Sequence, residues 1–144
     1  MVQPQLIAAV LGGPKVLGRR VRSVLDLAEA VEEGLPKAAL RNTAARIVPD
    51  AAGRRQLIYR IVPEATFKRR RDRLSPAESE RTERLARVIA TAEYVWDDPE
   101  DTHRFLTAPH PQLGSKTPMA AALTELGARQ VEQILEKILF GLPA

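Results

Sequence analysis

The side chains with the most chemistry to offer are cations. They crowd into one short stretch, Thr66-Phe67-Lys68-Arg69-Arg70-Arg71-Asp72-Arg73. Five basic groups within six residues suit a polyanion, because each displaces a counterion from a phosphate chain. The second charged cluster is Asp97-Asp98-Pro99-Glu100-Asp101. Paired carboxylates can perform general acid–base work, but this spacing has a structural use. Asp98 can cap a helix, Pro99 can open it, and the acids complement the positive end of its dipole. His103 and His110 are the only histidines and cysteine is absent, so no metal site is expected. Gly12-Gly13-Pro14 lacks the Gly-Lys-Ser/Thr ending of a phosphate loop. No serine or threonine stands in a nucleophile motif. The expectation is therefore no catalytic residue, no cofactor and no enzyme.

Charge is unevenly placed along the 144 residues. Residues 1–53 carry a net +2, residues 54–87 a net +6, and residues 88–144 a net −4. A localised basic excess points to nucleic acid, while the acidic second half suits a protein partner. No run of 18 or more apolar residues occurs, so no membrane span is expected. The apolar run Leu6-Ile7-Ala8-Ala9-Val10-Leu11 has no basic leader, so it does not read as a signal peptide. With no cysteine in the chain, the expected location is the cytoplasm.

The elements that must position these groups are helices. Hydrophobic residues make up 44% of the chain and aromatics only 4%, a balance carried by Ala, Leu, Ile and Val. The clearest helix lies in the stretch from Leu74 to Trp96. Ser75 is an N-cap, Pro76 the first helical residue and Glu78 the reciprocal member of a capping box. Leu85, Val88, Ile89, Ala92, Val95 and Trp96 form its apolar stripe. Before it, helices are expected over Val24 to Glu33, Lys37 to Val48, Gly53 to Ile61 and Ala65 to Leu74. Residues 1–23 read as a flexible N-terminus, with Gly12-Gly13-Pro14 breaking any helix. After the central helix come Pro99 to Thr107, a loop over Ala108 to Thr117, Met119 to Leu126 with Gly127 as its stop, and Ala128 to Phe140.

The third and fourth segments have helix-turn-helix proportions, with a basic second helix. In that arrangement Glu64, Thr66 and Lys68 lie near base edges, and Arg69, Arg70, Arg71 and Arg73 meet phosphates. Phe67 and Leu74 face the core. The expected division is 1–23 flexible, 24–73 helix-turn-helix-like and 74–144 a second helical unit. At the far end, Leu139, Phe140 and Leu142 offer apolar surface that suits an interface or the packing of the last helix.

The second half resembles the C-terminal toxin-binding domain of Xre/ParS-type antitoxins. The resemblance is carried by Leu74-Ser75-Pro76-Ala77-Glu78-Ser79-Glu80-Arg81 and Ala92-Glu93-Tyr94-Val95-Trp96. It continues through Asp98-Pro99-Glu100, Arg104-Phe105-Leu106, Pro109-His110-Pro111-Gln112-Leu113-Gly114-Ser115-Lys116-Thr117-Pro118 and Gly127-Ala128-Arg129-Gln130-Val131-Glu132-Gln133-Ile134-Leu135. Glu33-Gly34-Leu35-Pro36 and Thr66-Phe67-Lys68-Arg69-Arg70 look like the helix-turn-helix part of the same family, more loosely. The resemblance implies an all-α, dimeric type II antitoxin. It further implies that the C-terminal domain blocks a RES-domain toxin that consumes NAD, and that the N-terminal part binds operator DNA. Toxin contact is then expected from Glu136, Leu139, Phe140, Gly141, Leu142, Pro143 and Ala144. The tail ends without a charged side chain, so a plug there rests on the terminal carboxylate and apolar groups. The alternative is a stand-alone helix-turn-helix regulator without a toxin.

Overall fold

The computed structural model describes residues 2–142, and within them the secondary structure is helical with no strand. Ten α-helices follow one another: α1 Pro4–Val10, α2 Gly13–Leu17, α3 Val24–Glu33, α4 Lys37–Ile47, α5 Ala51–Ile61, α6 Glu64–Arg69, α7 Pro76–Trp96, α8 Pro99–Thr107, α9 Pro118–Ala121 and α10 Glu125–Leu139. A single 3₁₀ turn, Pro111–Leu113, interrupts the loop before α9.

The 21-residue α7 is the axis of the molecule. Its start has the expected capping box: Ser75 Oγ accepts from the Glu78 amide at 3.1 Å, and Glu78 Oε1 accepts from the Ser75 amide at 2.8 Å. Leu85, Val88, Ile89 and Ala92 are fully buried. Because α7 is apolar over much of its circumference, both halves pack on it. From the first half α1, α3, α4 and α5 contact it, and from the second half α8, α9 and α10. Burying each such side chain contributes about 1.5–3 kcal/mol against leaving it in water.

The structure departs from the sequence expectation at three places. The first 23 residues are not featureless. Gly12, at φ +116°, turns a corner between α1 and α2, and Pro14 sits where a new helix tolerates it. Ile7, Val10, Leu11 and Leu17 are buried against the rest of the core, and that packing stabilises helices too short to form alone. The second departure is at α6, which ends at Arg69. Residues 70–74 leave the helix, bending at Arg71 and Asp72, because their backbone pairs with the α3–α4 turn. The Lys37 amide donates to the Asp72 carbonyl and the Leu74 amide to the Leu35 carbonyl, each at 2.8 Å. A side chain on Gly34, at φ +94°, would collide with the Leu74 carbonyl in this pairing. The third departure is Gly127, which lies inside the first turn of α10 and stops nothing. Thr124 caps that helix by accepting from the Gly127 amide at 3.0 Å. A Cβ at 127 would strike the Ala121 carbonyl, so the glycine permits close approach of α9 and α10.

Candidate functional site

Two surfaces carry the candidate residues, one around α6 and one where α10 ends. The first surrounds α6. Phe67 is buried there and meets Tyr59 edge-on at 6.2 Å. The Lys37 ammonium lies 4.4 Å from the Phe67 ring centre and the Arg41 guanidinium 5.3 Å, so α4 adds cations to the basic helix. Of the seven residues expected to lie at the DNA, several also hold the fold. Arg70 forms a two-pronged bond with Glu78, 3.1 Å on each oxygen. Arg73 donates to the Gly34 carbonyl at 2.7 Å. Lys68 pairs with Glu64 one turn back at 2.8 Å. Thr66 accepts from Arg69 at 3.3 Å. Among the described residues, Arg69 and Arg71 have no ion pair.

Glu78 is the pivot of this arrangement. It is buried, and burial alone raises a carboxyl. The Arg70 guanidinium and the Ser75 amide and hydroxyl outweigh burial and hold Glu78 below the ordinary glutamate value. One carboxylate therefore starts α7 and also fixes the end of α6. Nearby, the Ser79 hydroxyl accepts from the Leu35 amide at 2.7 Å, and Arg81 donates to the Ile61 carbonyl at 3.0 Å. The basic helix is thus bolted to the first two turns of α7.

The second surface lies where α10 ends. Phe140 is 66% exposed, Leu142 57% and Leu139 46%. Tyr94 of α7, 59% exposed, adds an aromatic ring beside them. Leu139, Phe140 and Tyr94, together with Val2, Thr91 and Glu136, line a groove of about 470 Å³. The chain leaves α10 through a Schellman turn. Gly141, at φ +68°, donates to the Ile138 carbonyl at 3.1 Å, and Leu142 donates to the Lys137 carbonyl at 2.7 Å. This turn leaves Phe140 and Leu142 facing outward. Pro143 and Ala144, also expected at this surface, lie outside the described residues. Sequence reasoning does not mark Tyr94 or Val2 as part of a site. Tyr94 falls outside the apolar stripe of its helix, and that offset is the signal that could have found it.

Between the surfaces, α7 and α10 are tied by charge. Arg87 donates to Glu132 at 2.6 Å and to Glu83 at 2.9 Å, and Arg84 pairs with Glu125 at 3.1 Å. Burial raises Glu83 above the ordinary glutamate value despite its arginine partner. None of these groups opens into a site with a nucleophile beside a base. Among the described residues no three metal-ligating side chains converge, and no helix is long and apolar enough to cross a membrane.

Similarity to known proteins follows the same two-part division. Residues 26–87 match the antitoxin Xre-like helix-turn-helix domain. Residues 91–141 match the antitoxin Xre/MbcA/ParS C-terminal toxin-binding domain. The change from one to the other falls inside α7, the helix both halves share. A Pseudomonas putida protein named Antitoxin Xre is 36% identical over 84 residues, which is 56% of this chain and 53% of that protein. The chain thus spans about half the length of the curated relative it matches. With a helix-turn-helix half, a toxin-binding half and the two matched in order along one all-α chain, this protein belongs to the Xre/MbcA/ParS antitoxin family.

Proposed function

We propose that the chain is a type II antitoxin. Its C-terminal half covers and blocks a toxin, and its N-terminal half binds DNA at its own promoter and represses it. What carries the reading is the co-occurrence of the two matched domains on one chain, each bearing a surface of fitting chemistry. The α6 surface offers Lys37, Arg41, Arg69 and Arg71 to phosphates, with Thr66 and Lys68 nearest the base edges. The α10 surface offers exposed Leu139, Phe140 and Leu142 with the Glu136 carboxylate beside them. Such a face blocks an active site by occupying it and by matching its charge, with no chemistry of its own.

The finer part of the reading concerns the toxin. We assign it to the RES class, which consumes NAD. A pocket for NAD must hold two phosphates and so offers cationic donors. Glu136, beside the exposed Leu139, Phe140 and Leu142, is the complementary plug. The acting form is a homodimer, as paired helix-turn-helix units read two half-sites one helical turn apart.

The test is co-expression with the product of the adjacent reading frame. A RES-type product should arrest growth alone, deplete NAD and co-purify with this chain, which restores growth. The chain should also shift its own promoter fragment in a gel. A promoter shift without any binding to the neighbouring product would establish a stand-alone regulator instead.

A further inference from the structure

The apolar face at the end of α10 does not stop at the C-terminal half. Tyr94 stands between two grooves. One holds Leu139 and Phe140 together with Val2 and Gln3. The other, of about 500 Å³, holds Leu139 together with Leu6 and Ala9. Leu6 is 40% exposed on the outer side of α1, although its neighbours Ile7 and Ala8 are buried. Leu6, Tyr94, Leu139 and Phe140 therefore form one continuous apolar band across three helices. Its α1 bank lies outside both regions that match the family.

The charge around the band identifies what it takes. Two arginines reach its walls, and both are neutralised within the chain. Arg46 is held by Glu93 at 2.7 and 3.0 Å, and Arg87 by Glu83 and Glu132. Two rim carboxylates, Asp97 and Glu136, are exposed and have no ion pair among the described residues. The occupant thus presents apolar side chains flanked by cations.

We propose that the toxin-binding surface is composite: α1 forms one bank of it through Leu6, and Tyr94 joins that bank to the end of α10. The proposal rests on the antitoxin reading and adds to it a contact from residues outside the matched toxin-binding domain. Truncating a central apolar group of this kind costs an interface about tenfold or more in affinity.

The experiment uses the full chain and the purified product of the adjacent reading frame, with affinity read by biolayer interferometry. Leu6→Glu should bind that product about tenfold more weakly than the parent. Leu126→Glu, on an apolar residue 69% exposed at the opposite end of α10, should bind like the parent. Circular dichroism checks that each variant is folded, and the milder Leu6→Ala, Tyr94→Ala double variant replaces Leu6→Glu if that one is not. Parent-like binding by the Leu6 variants with weakened binding by Phe140→Glu would confine the surface to α10. That result overturns this proposal and leaves the antitoxin reading standing. No binding by the parent chain would remove the antitoxin reading, and this proposal with it. Sedimentation supplies the last arm: if Leu6→Glu dissociates a dimer without changing affinity for the product, the band is covered by a second copy and the proposal falls.

Discussion

The two candidate surfaces differ in what their side chains already do. Around α6 the cations are mostly employed: Arg70 holds Glu78, Arg73 holds the Gly34 carbonyl and Lys68 holds Glu64. Around the end of α10 the apolar groups are idle. Leu139, Phe140 and Leu142 are about half or more exposed, and the last turn is closed by backbone bonds alone. A substitution of Arg70, Arg73 or Glu78 therefore changes folding and binding together, whereas one of Phe140 or Leu142 changes binding alone. A DNA-binding defect in an arginine variant is consequently ambiguous in a way that a partner-binding defect in a phenylalanine variant is not.

The sharpest way to break this contrast is Phe140→Glu. It should weaken partner binding by about tenfold to a hundredfold, with unfolding free energy within about 0.5 kcal/mol of the parent. A large drop in stability, read by denaturant titration, would show that Phe140 is not idle.

Glu78→Ala is the opposite case. It removes one cap partner and leaves Arg70 without its carboxylate. The expected loss is about 2 kcal/mol of stability, discounted because Arg70 is partly exposed, and promoter affinity should fall with it. The pH dependence sharpens the point. Glu78 titrates below its unfolded value when folded, so its contribution is present above the unfolded value. It is lost as pH falls through the folded one. Acid titration of denaturant midpoints should show a steeper decline for the parent than for Glu78→Gln. Glu83, which burial raises, is present in both proteins and cancels in that difference.

Replacing Arg69 and Arg71 by Ala is a smaller perturbation, because neither side chain holds an ion pair among the described residues. Promoter affinity should fall, and the slope of log affinity against log salt should flatten by about 1 for each phosphate no longer neutralised. An unchanged slope would remove these two arginines from the DNA surface. The smallest effect belongs to Gly141→Ala. A left-handed alanine costs about 1 kcal/mol, confined to the last turn, so partner affinity should drop a few-fold while global stability stays nearly level. Titrating the partner against both proteins checks this.

What could be read from the sequence was local. Ser75-Pro76 with Glu78 specifies a helix start within four residues, and the structure has that capping box. Asp98-Pro99 likewise marks where α8 begins. What could not be read was set by distant partners. Residues 70–74 look helical because Arg and Leu are good helix formers. They leave the helix because the backbone of residues 34–37, far back in the chain, offers them hydrogen bonds instead. Gly127 looks like a stop because glycine so often is one, yet here it is the absence of a side chain against Ala121 that matters. Tyr94 lies off the apolar stripe of α7, so its exposure could be read, but the meeting of α1 and α10 beside it could not.

The sharing of α7 by both halves has a consequence for how the molecule opens. Leu85, Ala86, Val88, Ile89, Ala90 and Ala92 are buried beneath helices of both halves, so their amides cannot meet solvent unless both halves let go together. Hydrogen exchange there should proceed only through global unfolding, and those amides should be the slowest in the chain. The Schellman turn at the end of α10 has no such cover and should exchange by fraying, ahead of everything around it. The gradient between them, running outward from the middle of one helix, would map the order in which this protein comes apart.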